Sequence, residues 1–231
     1  MILSARNRGS EAMEGGVAEK RCNLDDATPL SSIAEAFEEL AKLINSRKVN
    51  GAEQFQLRLD TFCDACSPIS ILFGCLGLAF KFAELEYVAK VHNLVEASKT
   101  YGTLQNILDS DIANNTVKTQ GSNSRNLQRV RQGLDLIRAL FEQFLSNDDH
   151  SLKDVASTAY AQVCAPYHSW TVRTVVAAGM YTLPTRQQLL LKLNETNQSA
   201  AKKMKRYNRA LLPVIEYIDK LYLSRNIRLD W

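Results

Sequence analysis

The strongest constraint on the fold is a long stretch of helical periodicity, FGCLGLAFKFAELEYVAKVHNLVEAS, at residues 73–98. Apolar residues recur there at steps of three, four and one, the spacing of one helix face: Phe73, Leu76, Phe80, Ala83, Tyr87, Val91, Leu94 and Val95. Others fall on the remaining sides, among them Leu78, Phe82, Leu85 and Val88. A helix that is apolar on more than one face is buried between partners or lines a cavity. The sequence therefore predicts one long helix that organises the rest of the chain.

The remainder of the chain repeats helical spacing between breaks at proline, glycine and asparagine. No segment alternates apolar and polar residues as a half-buried β-strand would. The pattern predicts an all-α fold of about eight helices. Ser31 or Ser32 is expected to cap the first helix, and Ser32 fits a capping box with Glu35. Residues 1–28 lack periodicity and are expected to form a disordered N-terminal extension, with residues 29–231 as a single domain.

Composition limits the classes of function. The chain has 231 residues, of which 45% are hydrophobic and 23% charged, so it can bury a sizeable core. Its formal net charge of +3 is too small to indicate nucleic-acid binding, but it allows a local basic patch for phosphate or anionic lipid. The five cysteines include only one CxxC pair, Cys63 and Cys66, which favours a reducing compartment and gives no zinc site.

Targeting signals are also missing from the sequence pattern. The first residues contain acidic side chains and no long apolar segment, so no secretory signal is predicted. The longest apolar run, around residues 69–80, is shorter than the roughly 20 residues that span a bilayer. We therefore expect a soluble, cytoplasmic protein without metal or cofactor.

Two pairs of charged residues mark the candidate site. Glu86 and Lys90 are spaced i,i+4, as are Arg125 and Arg129, so each pair projects from one side of its helix. Such pairs are ordinarily solvent-exposed, and this remains one interpretation. The other is a bound anionic ligand at the mouth of an apolar interior, because both pairs lie on helices with extensive apolar surface. No HExxH, GxSxG, GxGxxG or P-loop pattern occurs, so no catalytic residues are predicted.

Four segments resemble a known family: FGCLGLAFKFAELEYVAKV, SRNLQRVRQGLDLIRALFEQ, AYAQVCAPYHSW and GMYTLPTR. Together they resemble the glycolipid transfer protein superfamily from residue 31 to residue 231. Within it, the sequence is most similar to the plant accelerated-cell-death branch, which carries ceramide-1-phosphate and is connected with programmed cell death. The resemblance implies a two-layer all-helical sandwich and non-enzymatic transfer of this lipid between membranes, with its chains in an apolar cavity between the layers.

The resemblance also implies a set of head-group residues. In the phosphate-binding branch these are an acid, a lysine four residues later, two arginines four apart and a histidine. They correspond to Glu86, Lys90, Arg125, Arg129 and His168. In the sugar-binding branch a tryptophan replaces the first arginine and an asparagine replaces the lysine, so the sequence favours phosphate over sugar. A glycosphingolipid carrier is the alternative within the family.

Two features leave alternatives open. The family acid is aspartate, whereas this chain has Glu86. Either the site adjusts to the longer arm, or lipid binding is weakened or altered, as in a helical lipid-sensing or protein-interaction module. The segment 166–184 places Trp170 and Tyr181 near Arg173 and Arg186, which suits transient contact with an anionic membrane surface. The alternative is that both aromatic side chains belong to the core.

Overall fold

A computed structural model describes residues 28–48, 55–146 and 151–231. Within these ranges the chain forms ten α-helices: α1 (Pro29–Lys48), α2 (Leu59–Cys66), α3 (Ile69–Cys75), α4 (Lys81–Ser98), α5 (Leu104–Ala113), α6 (Asn123–Ser146), α7 (Leu152–Val163), α8 (Trp170–Gly179), α9 (Arg186–Leu193) and α10 (Asn197–Leu223). Three 3-10 helices accompany them: Leu78–Phe80, Ala165–Tyr167 and Met180–Thr182. The same ranges contain no β-strand, only an isolated antiparallel bridge between Arg58 and Thr103. The all-α prediction is confirmed.

The single long helix predicted for residues 73–98 is wrong. The helix α3 ends at Cys75, a 3-10 turn covers Leu78–Phe80, and α4 begins at Lys81. Between them Gly77 adopts a φ of 81°, a backbone conformation that a residue with a Cβ atom rarely enters. The chain therefore turns at Gly77 although the helical spacing of apolar residues continues through it.

The start of the first helix also differs from the prediction. The helix α1 begins at Pro29, whose missing N–H is tolerated in a first turn, and Thr28 precedes it. The backbone N–H of Ser31 donates to Thr28 Oγ1 at 3.3 Å. Ser31 and Ser32 lie inside the helix, so neither is the cap. Residues 1–27, most of the predicted extension, fall outside the described ranges.

The central element is α6, which packs against α4, α5, α7 and α10. The first helix, α1, runs along α10, and α2 and α3 lie against α4. A continuous hydrophobic core joins these helices, with Tyr207 of α10 in edge contact with Phe37 of α1 and Phe141 of α6. The arrangement makes α4, α6 and α7 neighbours, and these helices carry or precede the predicted site residues.

The contact between α4 and α6 is unusually close. A Cβ atom on Gly133 of α6 would lie 2.6 Å from Cδ2 of Tyr87 of α4, nearer than real Cβ contacts come. The Tyr87 hydroxyl donates to the carbonyl oxygen of Cys66 at 3.0 Å, and its ring packs against Phe73 with centroids 5.3 Å apart. Gly133 thus sets the separation of the two helices that carry Glu86 and Arg129. None of the helices in the described ranges combines the length and apolar character needed to cross a bilayer.

Candidate head-group site

The first half of the site lies on α4. Glu86 and Lys90 are one turn apart, with Glu86 Oε2 3.5 Å from Lys90 Nζ. The Glu86 side chain is 76% exposed, whereas that of Lys90 is 23% exposed. The carboxylate can therefore accept further hydrogen bonds, and the ammonium group is held near the protein surface.

The second half lies on α6. Arg125 Nη1 donates to the carbonyl oxygen of Lys118 at 2.8 Å, and Arg129 Nη1 donates to Oε1 of Gln132 at 2.8 Å. Arg129 is half-buried, and its pKa lies below the usual value because of burial and the nearby charge of Arg125, with Glu86 acting in the opposite direction. Arg129 thus interacts electrostatically with both Arg125 and Glu86, which links the α4 pair to the α6 pair.

His168 joins this site from the segment between α7 and α8. Its Nδ1 lies 2.8 Å from the hydroxyl oxygen of Tyr160, and its carbonyl oxygen accepts a hydrogen bond from Arg173 Nε at 2.9 Å. Burial, followed by the charges of Arg129 and Arg173, lowers the pKa of His168 below 6.5. The imidazole is therefore neutral at pH 7 and carries one N–H donor and one acceptor nitrogen.

The assembled charges suit a dianionic group. Lys90 lies beside the carboxylate of Glu86, and the charges of Arg125 and Glu86 both act on Arg129. A phosphomonoester carries a charge of about −1.5 to −2 near neutral pH, and the guanidinium fork matches its oxygen geometry. Electrostatically, the site favours a phosphate group over a neutral sugar.

The family model described as glycolipid transfer protein matches residues 57–195. The ACD11 homolog protein of Arabidopsis thaliana is 67% identical over 204 residues, which cover 88% of this chain and 89% of that protein. The chain belongs to the glycolipid transfer protein family. The protein named accelerated cell death 11, also from Arabidopsis, is 46% identical over 88% of this chain and 96% of its own length.

A crystal structure supports the same membership. A mutant of the Arabidopsis accelerated-cell-death 11 protein, complexed with ceramide-1-phosphate, superposes with a TM-score of 0.83 at 45% identity, covering 88% of this chain and all of that one. The apo form of the same protein gives a TM-score of 0.79 at 45% identity over 86% of this chain and 99% of that one. The predicted two-layer helical sandwich of the glycolipid transfer protein fold is confirmed.

An exposed apolar surface lies around the 3-10 turn Leu78–Phe80. This turn packs against α8 and against the 3-10 turn Met180–Thr182. Large apolar side chains on these elements and on the start of α4 are 75–77% exposed: Leu78, Phe82, Trp170 and Tyr181. The interpretation of Trp170 and Tyr181 as core residues is therefore wrong, because a core side chain would be buried.

The basic residues of this region have local partners. Arg173 donates to the His168 carbonyl oxygen, as described above. Arg186 lies 3.6 Å from the ring centroid of Phe144 and donates to the Phe144 carbonyl oxygen at 2.9 Å. Lys153, which the sequence pattern did not single out, lies 3.7 Å from the ring centroid of Tyr181 and brings a cation to the apolar surface.

The described part of the chain has two surface recesses, of which the first adjoins the charged site through Lys118. One, of about 860 Å³, lies between the loop after α5 and the chain after α10, with Lys118 and Arg228 in its lining. The other, of about 430 Å³, lies beside Gly77 and Leu191. Neither recess is lined by the predicted head-group residues, and neither is the apolar cavity expected for lipid chains. Phe73 and Phe80 belong to the hydrophobic interior of the described residues, with their ring centroids 6.4 Å apart.

Sequence reasoning missed two residues that contact the site. Gln132 lies three residues after Arg129, on the same side of α6, and bonds to its guanidinium group. Tyr160 bonds to His168. The signal for Gln132 was its i,i+7 spacing from Arg125, which places both polar side chains on one side of α6. Nothing in the sequence distinguishes Tyr160 from a tyrosine of the core.

Proposed function

We propose that residues 29–231 form a single lipid-transfer domain that carries ceramide-1-phosphate between membranes without catalysis. The observation that carries the proposal is the electrostatic coupling of Arg129 to Arg125, Glu86 and His168, together with the Lys90–Glu86 pair. Family membership, and the complex of the related Arabidopsis protein with ceramide-1-phosphate, agree with this assignment. The protein would work in the cytoplasm and contact membranes transiently.

In this proposal the three cations bind the phosphate group. Arg125 and Arg129 offer planar donor forks, and Lys90 adds a compact positive charge. Half-burial of Arg129 strengthens its attraction for phosphate because the local dielectric constant is lower than that of water. A sugar head group would lack the charge that these residues are arranged to bind.

The sphingoid part of the lipid would be recognised by Glu86 and His168. The Glu86 carboxylate would accept hydrogen bonds from the amide N–H and the hydroxyl group, and a neutral His168 would donate to the amide carbonyl. Phosphatidic acid presents a phosphate but no amide N–H. The two residues would therefore select a sphingolipid, while the basic cluster selects phosphate.

The lipid chains would enter the interior behind the head-group site. A lipid with roughly 30 methylene groups, at about 0.8 kcal/mol each, loses more than about 20 kcal/mol of burial energy when it leaves a bilayer. The carrier must replace most of it, so the chains would insert among buried residues such as Phe73, Phe80 and Val91. The exposed apolar surface with Phe82 and Trp170 would contact the bilayer during exchange, because tryptophan favours the membrane interface.

The proposal is tested by transfer of fluorescent ceramide-1-phosphate between donor and acceptor vesicles. The wild-type protein should transfer it, and Arg129→Leu should lower the rate by at least about tenfold, because hydrogen bonds to charged groups contribute about 1.5–3 kcal/mol. Arg209→Leu is the matched control, since Arg209 is an exposed residue of α10 whose charge acts on Glu38 of α1.

Circular dichroism of each variant verifies the helical fold. Equal transfer by wild type and by Arg129→Leu would remove the phosphate assignment. Native mass spectrometry after incubation with mixed-lipid vesicles identifies the extracted lipid independently. A glycosphingolipid in that spectrum would favour the sugar-binding alternative.

A further inference from the structure

Gln132 occupies an unusual place beside the candidate site. It lies on α6, three residues after Arg129, and only 7% of its surface is exposed. Its Oε1 accepts the hydrogen bond from Arg129 Nη1 at 2.8 Å, and its Nε2 donates to the carbonyl oxygen of Val163 at 3.1 Å. Both ends of the amide are therefore engaged in a buried setting.

The two contacts fix the orientation of the amide. The carbonyl oxygen of Val163 can only accept, and the guanidinium group of Arg129 can only donate. Gln132 must therefore present its NH₂ group to Val163 and its oxygen to Arg129. In the reversed orientation the amide oxygen would face the carbonyl oxygen of Val163, so two acceptors would meet. The NH₂ group would face the Arg129 guanidinium group, so two donors would meet.

The contact with Val163 links two parts of the site. Val163 is the last residue of α7, and the last four carbonyl groups of a helix have no partner within that helix. The chain continues through the turn Ala165–Tyr167 to His168. Gln132 thus joins the Arg129 guanidinium group to the end of the helix that leads to His168.

The neutrality of Gln132 distinguishes Arg129 from other arginines of α6. Arg131 forms ion pairs with Asp135 at 3.0 Å and Asp219 at 2.8 Å, and Arg138 pairs with Asp135 at 2.7 Å. Among the described residues, Arg129 has no carboxylate within 4.0 Å. Its short-range partner is an amide, so its positive charge stays available to an anion.

We propose that Gln132 is a positioning residue of the head-group site, which holds Arg129 in place through a neutral hydrogen bond without neutralising its charge. This inference rests on the proposed function, because it assigns Arg129 to the phosphate group. Gln132 itself does not touch the lipid. It orients the guanidinium fork before phosphate arrives, which lowers the loss of side-chain freedom on binding.

Two substitutions of Gln132 test separately whether it positions Arg129 and whether its lack of charge matters. Gln132→Met keeps a similar length and removes both hydrogen bonds, so ceramide-1-phosphate transfer should fall about tenfold. Gln132→Glu keeps an acceptor for Arg129 but forms an ion pair with it, and transfer should fall by at least as much. Gln105→Met and Gln105→Glu are the matched controls. Gln105 is also a buried glutamine whose Nε2 donates to a backbone carbonyl, that of Phe55, and we expect transfer within about twofold of wild type.

A double-mutant cycle distinguishes an action of Gln132 through Arg129 from a general contribution of Gln132 to stability. If Gln132 acts through Arg129, adding Gln132→Met to Arg129→Leu should change transfer by less than about twofold. Equal losses in both backgrounds would overturn the inference, as would wild-type transfer by Gln132→Glu at unchanged thermal stability. If Gln132→Met does not fold, Gln132→Glu decides. A wild-type protein that fails to transfer ceramide-1-phosphate would overturn the proposed function and this inference together.

Discussion

The hydroxyl oxygen of Tyr160 lies 2.8 Å from Nδ1 of His168, and this contact defines what the histidine can do. A neutral imidazole has one donor and one acceptor nitrogen. For Nε2 to donate to a lipid carbonyl, Nδ1 must accept, and the Tyr160 hydroxyl is then the donor. Burial raises the pKa of Tyr160 above 10, so the hydroxyl keeps its proton at neutral pH. A protonated Tyr160 hydroxyl can therefore donate to Nδ1 and support the tautomer that the proposed role of His168 requires.

Replacing Tyr160 by phenylalanine should disturb His168 without removing it. A neutral hydrogen bond contributes about 1 kcal/mol, so ceramide-1-phosphate transfer by Tyr160→Phe should fall about fivefold. Nitrogen NMR of the imidazole should show a change in the tautomer ratio at pH 7. The exposed neighbour Tyr167 provides the control substitution Tyr167→Phe. Unchanged imidazole signals in Tyr160→Phe would contradict the orienting role.

The sequence predicts relations between site residues within one helix, but not contacts between residues of different helices. The i,i+4 spacing of Arg125 and Arg129 fixes their common side within one helix, and the helical period alone gives that relation. The contact between Gln132 and Val163 joins two helices, and no spacing along the chain encodes it. The spacing of Gln132 from Arg125 can mark its side of α6, but its contact with Val163 requires the packing of α6 against α7.

The turn at Gly77 shows a second limit. The apolar spacing passes through it because Leu76 and Phe80 are both buried, although they belong to different elements. The backbone conformation of Gly77 ends the helical path between these two buried residues. Hydrophobic spacing thus reports which residues are buried more reliably than where a helix ends.

Gly133 offers a test of helix separation. Gly133→Ala would place a methyl group 2.6 Å from the Tyr87 ring, so α4 and α6 must move apart. Overpacking of this kind typically costs about 1–3 kcal/mol, and denaturant unfolding should show a loss in that range. Ceramide-1-phosphate transfer should also fall, because Glu86 lies on α4 and Arg129 on α6, and moving the helices apart separates them. Gly74→Ala is the control, since its Cβ would have an ordinary 3.7 Å contact; equal effects of both substitutions would contradict the argument.

A buried ion pair makes stability depend on pH. Lys203 Nζ lies 2.9 Å from Glu195 Oε1, and Glu195 also accepts hydrogen bonds from Thr28 and Ser199. Burial alone would raise the pKa of Glu195, but these hydrogen bonds and the Lys203 charge hold it below 4.5. The carboxylate therefore stabilises the fold above the unfolded-state pKa, and that contribution is lost as pH falls through the lower folded-state pKa.

Glu195→Gln should reveal this contribution. The substitution leaves the buried Lys203 without its charge partner, which typically costs about 3–5 kcal/mol at pH 7. The difference from wild type should shrink as the pH falls below the unfolded-state pKa and through the lower folded-state pKa, because the wild-type carboxylate is then protonated. Urea unfolding at several pH values measures this difference in the free energy of unfolding. A difference that stays constant between pH 7 and pH 3 would contradict the assignment to this ionisation.

Membrane contact can be followed through Trp170. The chain has two tryptophans, so Trp231→Phe leaves Trp170 as the single probe. Its side chain is 77% exposed, and its fluorescence should shift to the blue when anionic vesicles are added. Phe82→Ser in this background should weaken vesicle binding roughly tenfold or more, because burying a phenylalanine contributes about 1.5–3 kcal/mol. An unchanged Trp170 spectrum with anionic vesicles would exclude this surface from docking.

Glu86 stands where the resemblance to the family implies an aspartate, and its surroundings separate two roles for it. The carboxylate lies 3.5 Å from Lys90 and is 76% exposed, and an ion pair this open contributes about 0–1 kcal/mol to stability. If the pair were its only role, Glu86→Val should leave the lipid preference unchanged. If Glu86 accepts from the sphingoid amide and hydroxyl, Val leaves buried lipid donors unpaired, at about 1–3 kcal/mol per group.

Glu86→Val should therefore lower transfer of ceramide-1-phosphate by roughly tenfold to a hundredfold, while transfer of phosphatidic acid changes little. Glu86→Asp should keep or improve ceramide-1-phosphate transfer, since it retains the charge and restores the shorter family side chain. Glu86→Gln keeps one acceptor oxygen without the charge, so its rate of ceramide-1-phosphate transfer should lie between those of Glu86→Val and Glu86→Asp. Thermal unfolding without lipid should be nearly the same for all four proteins, because the side chain is mostly exposed. Should Val transfer ceramide-1-phosphate as well as wild type does, sphingoid recognition by Glu86 is wrong, and lipid selection must come from the basic cluster alone.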